Sequence, residues 1–444
     1  RALPAGSDWF SSLFGFAEGS YQDVRGLLRV APSKPEPLLF LESAVNGKRF
    51  CVGTFETPSL GELRKQCETV HLSGLLTVTN ELGDVAAKHA LPENRYATFQ
   101  VASQFNCLEF VGPSVTPEDG ITRYVADRTQ GPACSIACGP ATAYRNYFAP
   151  VRGSKQSGQT KLNQIDNLAD MTTLLRQCAA PGASLFTCKG GYTLADDVQL
   201  RALGAALKKA EAQGRMDELR DALRIGVHSD VQVTATDWGR RRIEDEAQRV
   251  TQIFGSACSV AYSRGGTSSW RPFASLVLQA SYEATLCAAL LNAHRHGGAA
   301  GSRKVFLTCL GGGVFGNSMD WIIAAMRRAC SRFEGYGLDV RVVTYAGRID
   351  PMLLALERDF EVGRRPPQLK RLPAPAAGVR RPAAGEAEGD VRKRKSAKTG
   401  PTAAEAAPCE GTPAAKDRRP DEAAAAPGAA AAAAASLATP EKRP

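Results

Sequence analysis

Beyond Phe360 the 444-residue chain has no aromatic residue, although it carries 17 Phe, 10 Tyr and 4 Trp up to that point. The last 84 residues hold instead 25 Ala and 12 of the 26 Pro. Such a stretch cannot bury enough apolar surface to offset its chain entropy, so 361–444 is expected to be a disordered, Ala/Pro-rich tail. Residues 1–360 remain for the folded body, enough for one large domain or two ordinary ones.

Other absences narrow the chemistry. Five His and no C-x-x-C pair leave no zinc-binding set, and no metal site is expected. Neither G-x-S-x-G nor G-x-x-x-x-G-K-[ST] occurs, which argues against an α/β-hydrolase and a P-loop ATPase. No eighteen apolar residues run uninterrupted, so no membrane span is expected. Charge of one sign is also scarce in the body. The tail holds 16 Lys/Arg against 10 Asp/Glu, a net +6, and leaves 39 against 35 for the rest. A body at +4 is not a nucleic-acid-coating surface. The twelve Cys are dispersed, mostly in apolar runs, and read as small buried hydrophobes in a reducing compartment. The chain starts at Arg1 rather than Met, as a fragment or processed chain would.

What is present alternates between strand and helix signals. Leu38–Val45, Asn46-Gly47 and Arg49–Phe55 predict a hairpin. Ser59 caps a helix to about Thr69, strands follow near Leu75–Thr79 and Thr98–Ala102, and Thr116-Pro117-Glu118 opens a further helix. From about Pro150 to Arg271 the pattern is irregular, with helices near Asn163–Cys178 and Asp196–Ala222 and strands near Ser184–Cys188 and Val231–Thr236. Lys189-Gly190-Gly191 reads as a turn, and Tyr144–Phe148 as strand-end packing. Pro272–Ala293 is a long buried helix. The expected class is α/β with a mixed sheet.

Lys304–Tyr345 carries the most chemical information. Val305–Leu310 is a continuous apolar run, as a central parallel strand requires. Gly311-Gly312-Gly313-Val314-Phe315-Gly316 follows at once, Asn317 or Ser318 caps a helix, and Asp339–Tyr345 is a second strand. Glycines let the backbone approach a ligand closely, and loop amides before a helix form a phosphate cradle. Gly311, Gly313 and Gly316 also satisfy G-x-G-x-x-G, which raises an NAD(P)-dependent oxidoreductase as the alternative. Against it, the next strand ends in Thr344-Tyr345-Ala346, with no acid for a ribose.

Ala280–Tyr345 resembles the C-terminal half of a macrodomain, the module that binds ADP-ribose: helix, apolar strand, Gly313-Val314-Phe315-Gly316 in place of G-I-F-G, final helix. Upstream, Val101–Asn106 stands where that family's strand ends in N-A-A-N, and Glu118-Asp119-Gly120-Ile121 is similar to its V-D-G-A-I. Phe110–Thr116, with only Gly112, departs from the family's first glycine run, and the two halves are separated by extra chain. The resemblance implies a divergent, three-layer macrodomain-like core over 1–360 with an inserted helical region at about 150–271. It implies that Gly311, Gly312, Gly313, Val314, Phe315, Gly316 and Asn317 hold the diphosphate end of ADP-ribose, with Phe315 against the distal ribose. Asn106 and Gln104 would meet ribose hydroxyls. Asp119 would orient water at the anomeric carbon, with Glu118 and Glu109 as neighbouring acids. The implied partner is ADP-ribose or an ADP-ribosylated target, without a cofactor, and hydrolysis of an ADP-ribosyl bond is the catalytic extension of that reading. In the tail, Arg380-Arg381 and Arg392-Lys393-Arg394-Lys395 form two basic clusters on a flexible spacer. They suit an import receptor and predict a nuclear or cytoplasmic protein.

Overall fold

The computed structural model describes residues 8–33, 37–345 and 347–361. The tail and its basic clusters lie outside these. In chain order the strands are β1 (Leu28–Pro32), β2 (Leu39–Ser43), β3 (Arg49–Glu56), β4 (Thr77–Leu82), β5 (Thr98–Ala102), β6 (Thr187–Lys189) and β7 (Tyr192–Leu194). They continue with β8 (Gly226–Gln232), β9 (Ala235–Thr236), β10 (Arg241–Arg242), β11 (Arg249–Gly255), β12 (Lys304–Leu307) and β13 (Asp339–Thr344). Nine form one sheet in the order β1-β2-β3-β8-β11-β5-β12-β13-β4. From β1 to β11 the pairs are antiparallel; from β11 to β4 they are parallel.

This is the expected α/β class with a mixed sheet between helical layers. On one face the helix Thr267–Arg295 packs with Leu60–Cys67, Asp197–Ala212 and Met319–Arg332. On the other lie Trp9–Phe14, Gln130–Ala137 and Gly139–Tyr147. Strand β12 belongs to both cores: Val305 and Leu307 face the first, Phe306 the second. It lies between β5 and β13, which is why its sequence is apolar without alternation.

Local signals locate several elements well. Ser59 and Glu62 close a reciprocal capping box ahead of Leu60–Cys67. The Asn46-Gly47 turn joins β2 to β3. Three expectations need correction. The region 150–271 is not a helical insertion throughout, because β8 and β11 are central strands of the sheet. Tyr144–Phe148 is not a strand end: it closes the helix Gly139–Tyr147, every residue of which is buried. Finally, Thr116-Pro117-Glu118 opens only the single 3₁₀ turn Pro117–Asp119. The helix that follows β5 begins at Gln130, where a Cβ on Gly131 would lie 1.9 Å from the Ala102 carbonyl oxygen. Only glycine allows that approach of helix to strand.

One buried charge cluster ties the first layer together. Glu283, fully buried on Thr267–Arg295, sits 2.7 Å from Arg64 and 2.8 Å from Arg332, and also pairs with Arg328. Burial alone would raise its carboxyl; Arg64, Arg332 and Arg328 together hold it below the usual range.

Candidate functional site

Strands β5, β11 and β12 are neighbouring parallel strands, so the loops at their carboxyl ends (103–110, 256–263 and 308–318) share one end of the sheet. In open α/β sheets this is where ligands bind. The β12 loop is fixed from both sides. The Tyr282 hydroxyl accepts from Leu310 N–H at 2.9 Å and donates to the Thr308 carbonyl at 2.7 Å. Gly311 has φ +70°, and a Cβ there would lie 2.4 Å from Asn317 Nδ2 and 2.6 Å from Ala257 Cβ. Both the dihedral and the space demand glycine.

Asn317 is a lock of the loop. It is buried, its Nδ2 donates to the Cys258 carbonyl at 2.7 Å, and its backbone N–H donates to Gly311 at 2.8 Å. The apex is different. Gly312, Gly313 and Val314 are exposed, and the amides of Gly313, Val314 and Phe315 have no acceptor among the described residues. Three consecutive open N–H groups in the loop that leads into the helix Met319–Arg332 are donors suited to a phosphate or other anion.

Phe315 carries one of these amides, and its ring lies in an aromatic cluster. Its ring centroid is 5.3 Å from Tyr192 and 5.7 Å from Tyr262, and those two are 5.1 Å apart. Burial pushes the Tyr262 phenol up, and the Asp127 carboxylate adds to the shift. Tyr192, Tyr262 and Asp127 were not legible as site residues. Only the Lys189–Gly191 turn hinted at the first, and no local motif marks the other two.

The residues expected to meet a ribose are engaged by the protein. The Gln104 amide spans the Phe110 peptide unit, accepting from its N–H at 3.1 Å and donating to its carbonyl at 3.2 Å. Asn106 accepts from Leu108 N–H at 3.1 Å and donates to Gln164 at 2.9 Å. Both side chains are buried.

Nor are the three expected acids brought together. Asp119 caps its own 3₁₀ turn through the Thr116 N–H at 2.8 Å, which holds its carboxyl below the usual range. Glu118 is exposed and accepts from Lys161 N–H at 2.9 Å. The amides that follow them, Ile121 and Thr122, donate to Glu18 at 2.8 and 2.7 Å, so that turn already holds a carboxylate. The position that opens the next helix is taken by the amide Gln130, whose side chain pairs with Gln100 O and Ala102 N, both at 2.8 Å.

Glu109 belongs to a buried polar network. Oε2 accepts from Ser135 Oγ at 2.8 Å and lies 3.7 Å from Arg145, while Oε1 has no hydrogen bond among the described residues. Burial pushes its carboxyl up to about 7, with Arg145 and Ser135 offsetting part of the rise. An acid with a folded pKa above its unfolded value contributes stability at low pH and loses it as pH rises through the folded pKa. Relative to Glu109→Gln, the native protein should therefore weaken by about 3 kcal/mol as pH rises from about 4.5 to about 7, at about 1.4 kcal/mol per pKa unit. The difference between the two proteins' melting curves isolates this group from the buried His89 and His228. A difference that stays constant with pH would show that Glu109 is already ionised at pH 5.

No family model and no curated relative matches the chain. Among solved structures, a single-residue mutant of the poly(ADP-ribose) glycohydrolase from Thermomonospora curvata is similar at TM-score 0.34 and 13% identity, over 77% of this chain and 97% of its own. The poly(ADP-ribose) glycohydrolase from Deinococcus radiodurans in complex with ADP-ribose is similar at TM-score 0.36 and 14% identity, over 69% and 92%. A mutant of the Deinococcus protein, also bound to ADP-ribose, reaches 0.37 at 14%, over 69% and 94%. These are coarse likenesses.

Proposed function

We propose that the chain recognises ADP-ribose, or an ADP-ribosyl group on another molecule, through the loop Gly311–Asn317. The observation that carries this reading is the set of open amides at Gly313, Val314 and Phe315, at the carboxyl end of a central parallel strand and the start of a helix. Those donors suit a diphosphate, and the half-buried Phe315 and Tyr262 rings offer an apolar face to a sugar or base.

The reading is recognition, with no part in bond cleavage for the three acids the sequence suggested. A glycosidic bond breaks only with an acid or base beside the anomeric carbon. Asp119, Glu118 and Glu109 are each held by the protein elsewhere, as a turn cap, a loop tether and a buried network member. The G-x-G-x-x-G spacing alone does not support NAD(P)-dependent hydride transfer, because the next strand ends without an acid for a ribose.

Calorimetric titration of the full chain with ADP-ribose, NAD and NADPH tests this. Saturable heat with ADP-ribose is expected, with no comparable response to NADPH. Binding of NADPH without ADP-ribose would reverse the reading.

A further inference from the structure

The hairpin β6–β7 lies between the two loops that a nucleotide sugar would have to bridge. Its turn residues Gly190 and Gly191 have φ +57° and +77°, the geometry of a tight two-residue hairpin. The Gly191 carbonyl accepts from Phe105 N–H at 3.1 Å. A Cβ on Gly191 would lie 2.6 Å from Gln104 Cβ and 2.9 Å from Asn106 Cγ. The tip is thus seated directly on the segment expected to hold a ribose.

Tyr192 completes the bridge. It is 2% exposed, and its hydroxyl donates to the Phe110 carbonyl at 2.6 Å and lies 3.5 Å from Gln104 Nε2. The other side of its ring meets Phe315. One side chain therefore spans from the Gln104–Phe110 wall to the glycine loop. A ligand anchored on the loop amides cannot reach Gln104 or Asn106 while that ring is in place.

The hairpin has room to leave. Its tip borders a cleft of about 470 Å³ lined by Cys188–Gly191, Pro113–Thr116 and residues 161, 162 and 164–166. Each strand has only three residues; β7 is held by Thr193 and Ser259, at 2.7 and 3.0 Å, while the tip is held by the Phe105 N–H on Gly191 and the Tyr192 hydroxyl on Phe110.

We infer that Tyr192 determines which anions the glycine loop accepts. With the ring in place the loop takes a compact phosphate or diphosphate; a nucleotide sugar binds only when the hairpin tip moves into the cleft it borders. The inference rests on the glycine loop being a phosphate site. Binding that needs a minor conformation is weakened by that conformation's population, so removing the ring should strengthen only the larger ligand.

Titration of the native chain and Tyr192→Ala with inorganic pyrophosphate and with ADP-ribose separates the two ideas. Pyrophosphate should bind both proteins within about twofold, which also reports an intact loop, while ADP-ribose should bind Tyr192→Ala at least about tenfold more tightly. Tyr192→Phe, which keeps the ring but loses the bond to Phe110, should fall between. Unchanged or weaker ADP-ribose binding by Tyr192→Ala, with pyrophosphate retained, would overturn the role of Tyr192 and leave the loop assignment standing. Absence of pyrophosphate binding in both proteins would overturn the loop assignment, and the role of Tyr192 with it.

Discussion

Replacing Gly313 with glutamate should abolish ADP-ribose and pyrophosphate binding, by about a hundredfold or more, while leaving the melting temperature within about 2 °C of the native value. Gly313 is the glycine of the loop best suited to this test. Its backbone is not in the left-handed region, and a Cβ there meets nothing within 4 Å. The new side chain enters open space, so the fold has no reason to suffer. It also places a negative charge among the three amides that have no acceptor among the described residues. Repulsion of a diphosphate and occupation of the donors by the carboxylate act in the same direction. Gly311 would be a poor substitute, because a side chain there displaces Asn317 and reshapes the loop. Calorimetry on Gly313→Glu and on a Gly313→Ala control checks the expectation. Native-like affinity in the glutamate variant would remove the loop from the binding site.

The largest effect on stability is expected at Glu283. Replacing it with alanine should cost about 3–5 kcal/mol, because removal of one partner leaves buried charge without compensation. Here three arginines, Arg64, Arg328 and Arg332, share one buried carboxylate, and Arg64 also reaches Asp221 at 2.7 Å. Their side chains keep 17%, 26% and 23% exposure, so water relieves part of the penalty and the lower half of that range is the better guide. A fall in melting temperature of about 4–6 °C should follow. Glu283→Gln keeps the volume and removes the charge; it should recover the cavity part of the loss but not the electrostatic part. Denaturant unfolding of the two variants makes the comparison, and equal stability of native and Gln forms would show that the arginines are satisfied without the charge. The cluster also bears on binding. Arg328 and Arg332 lie on Met319–Arg332, the helix that the glycine loop opens. Loosening that helix should weaken pyrophosphate binding in proportion to the stability lost, unlike Gly313→Glu, which separates the two.

The pH behaviour follows the same logic with opposite sign. Glu283, held below its ordinary value, supports the fold above the usual carboxylate range and ceases to do so as pH falls through its folded pKa. Glu109, held above its ordinary value, does the reverse near neutrality.

The sequence by itself determined whatever depends on neighbours a few residues apart. A serine three residues before a glutamate closes the cap of Leu60–Cys67, Asn46-Gly47 turns a hairpin, and the run Val305-Phe306-Leu307 must be covered on both faces. The strand–glycine loop–helix–strand unit at 304–344 was readable for the same reason, its signals being consecutive. Tertiary structure alone decided what depends on distant partners. Strand β8 reads as polar, with His228, Ser229, Asp230 and Gln232, yet every residue is buried. The polarity is tolerable because His228 meets Val52 O at 2.7 Å and Gln232 accepts from Cys51 N–H at 3.0 Å, partners about 180 residues away. Strand β11 is similar, since Thr251 bonds Asn292 and Gln252 bonds the Cys134 carbonyl. The functional end of the sheet shows the same division. The phosphate-type loop is a local motif, whereas Tyr192 enters it on a hairpin 123 residues upstream of Phe315. Glu109 and Asn106 look like site residues in the sequence because nothing local shows that Ser135 and Gln164 will claim them. Hydrogen-bond satisfaction of buried polar groups is a global property of the fold, and no window of consecutive residues contains it.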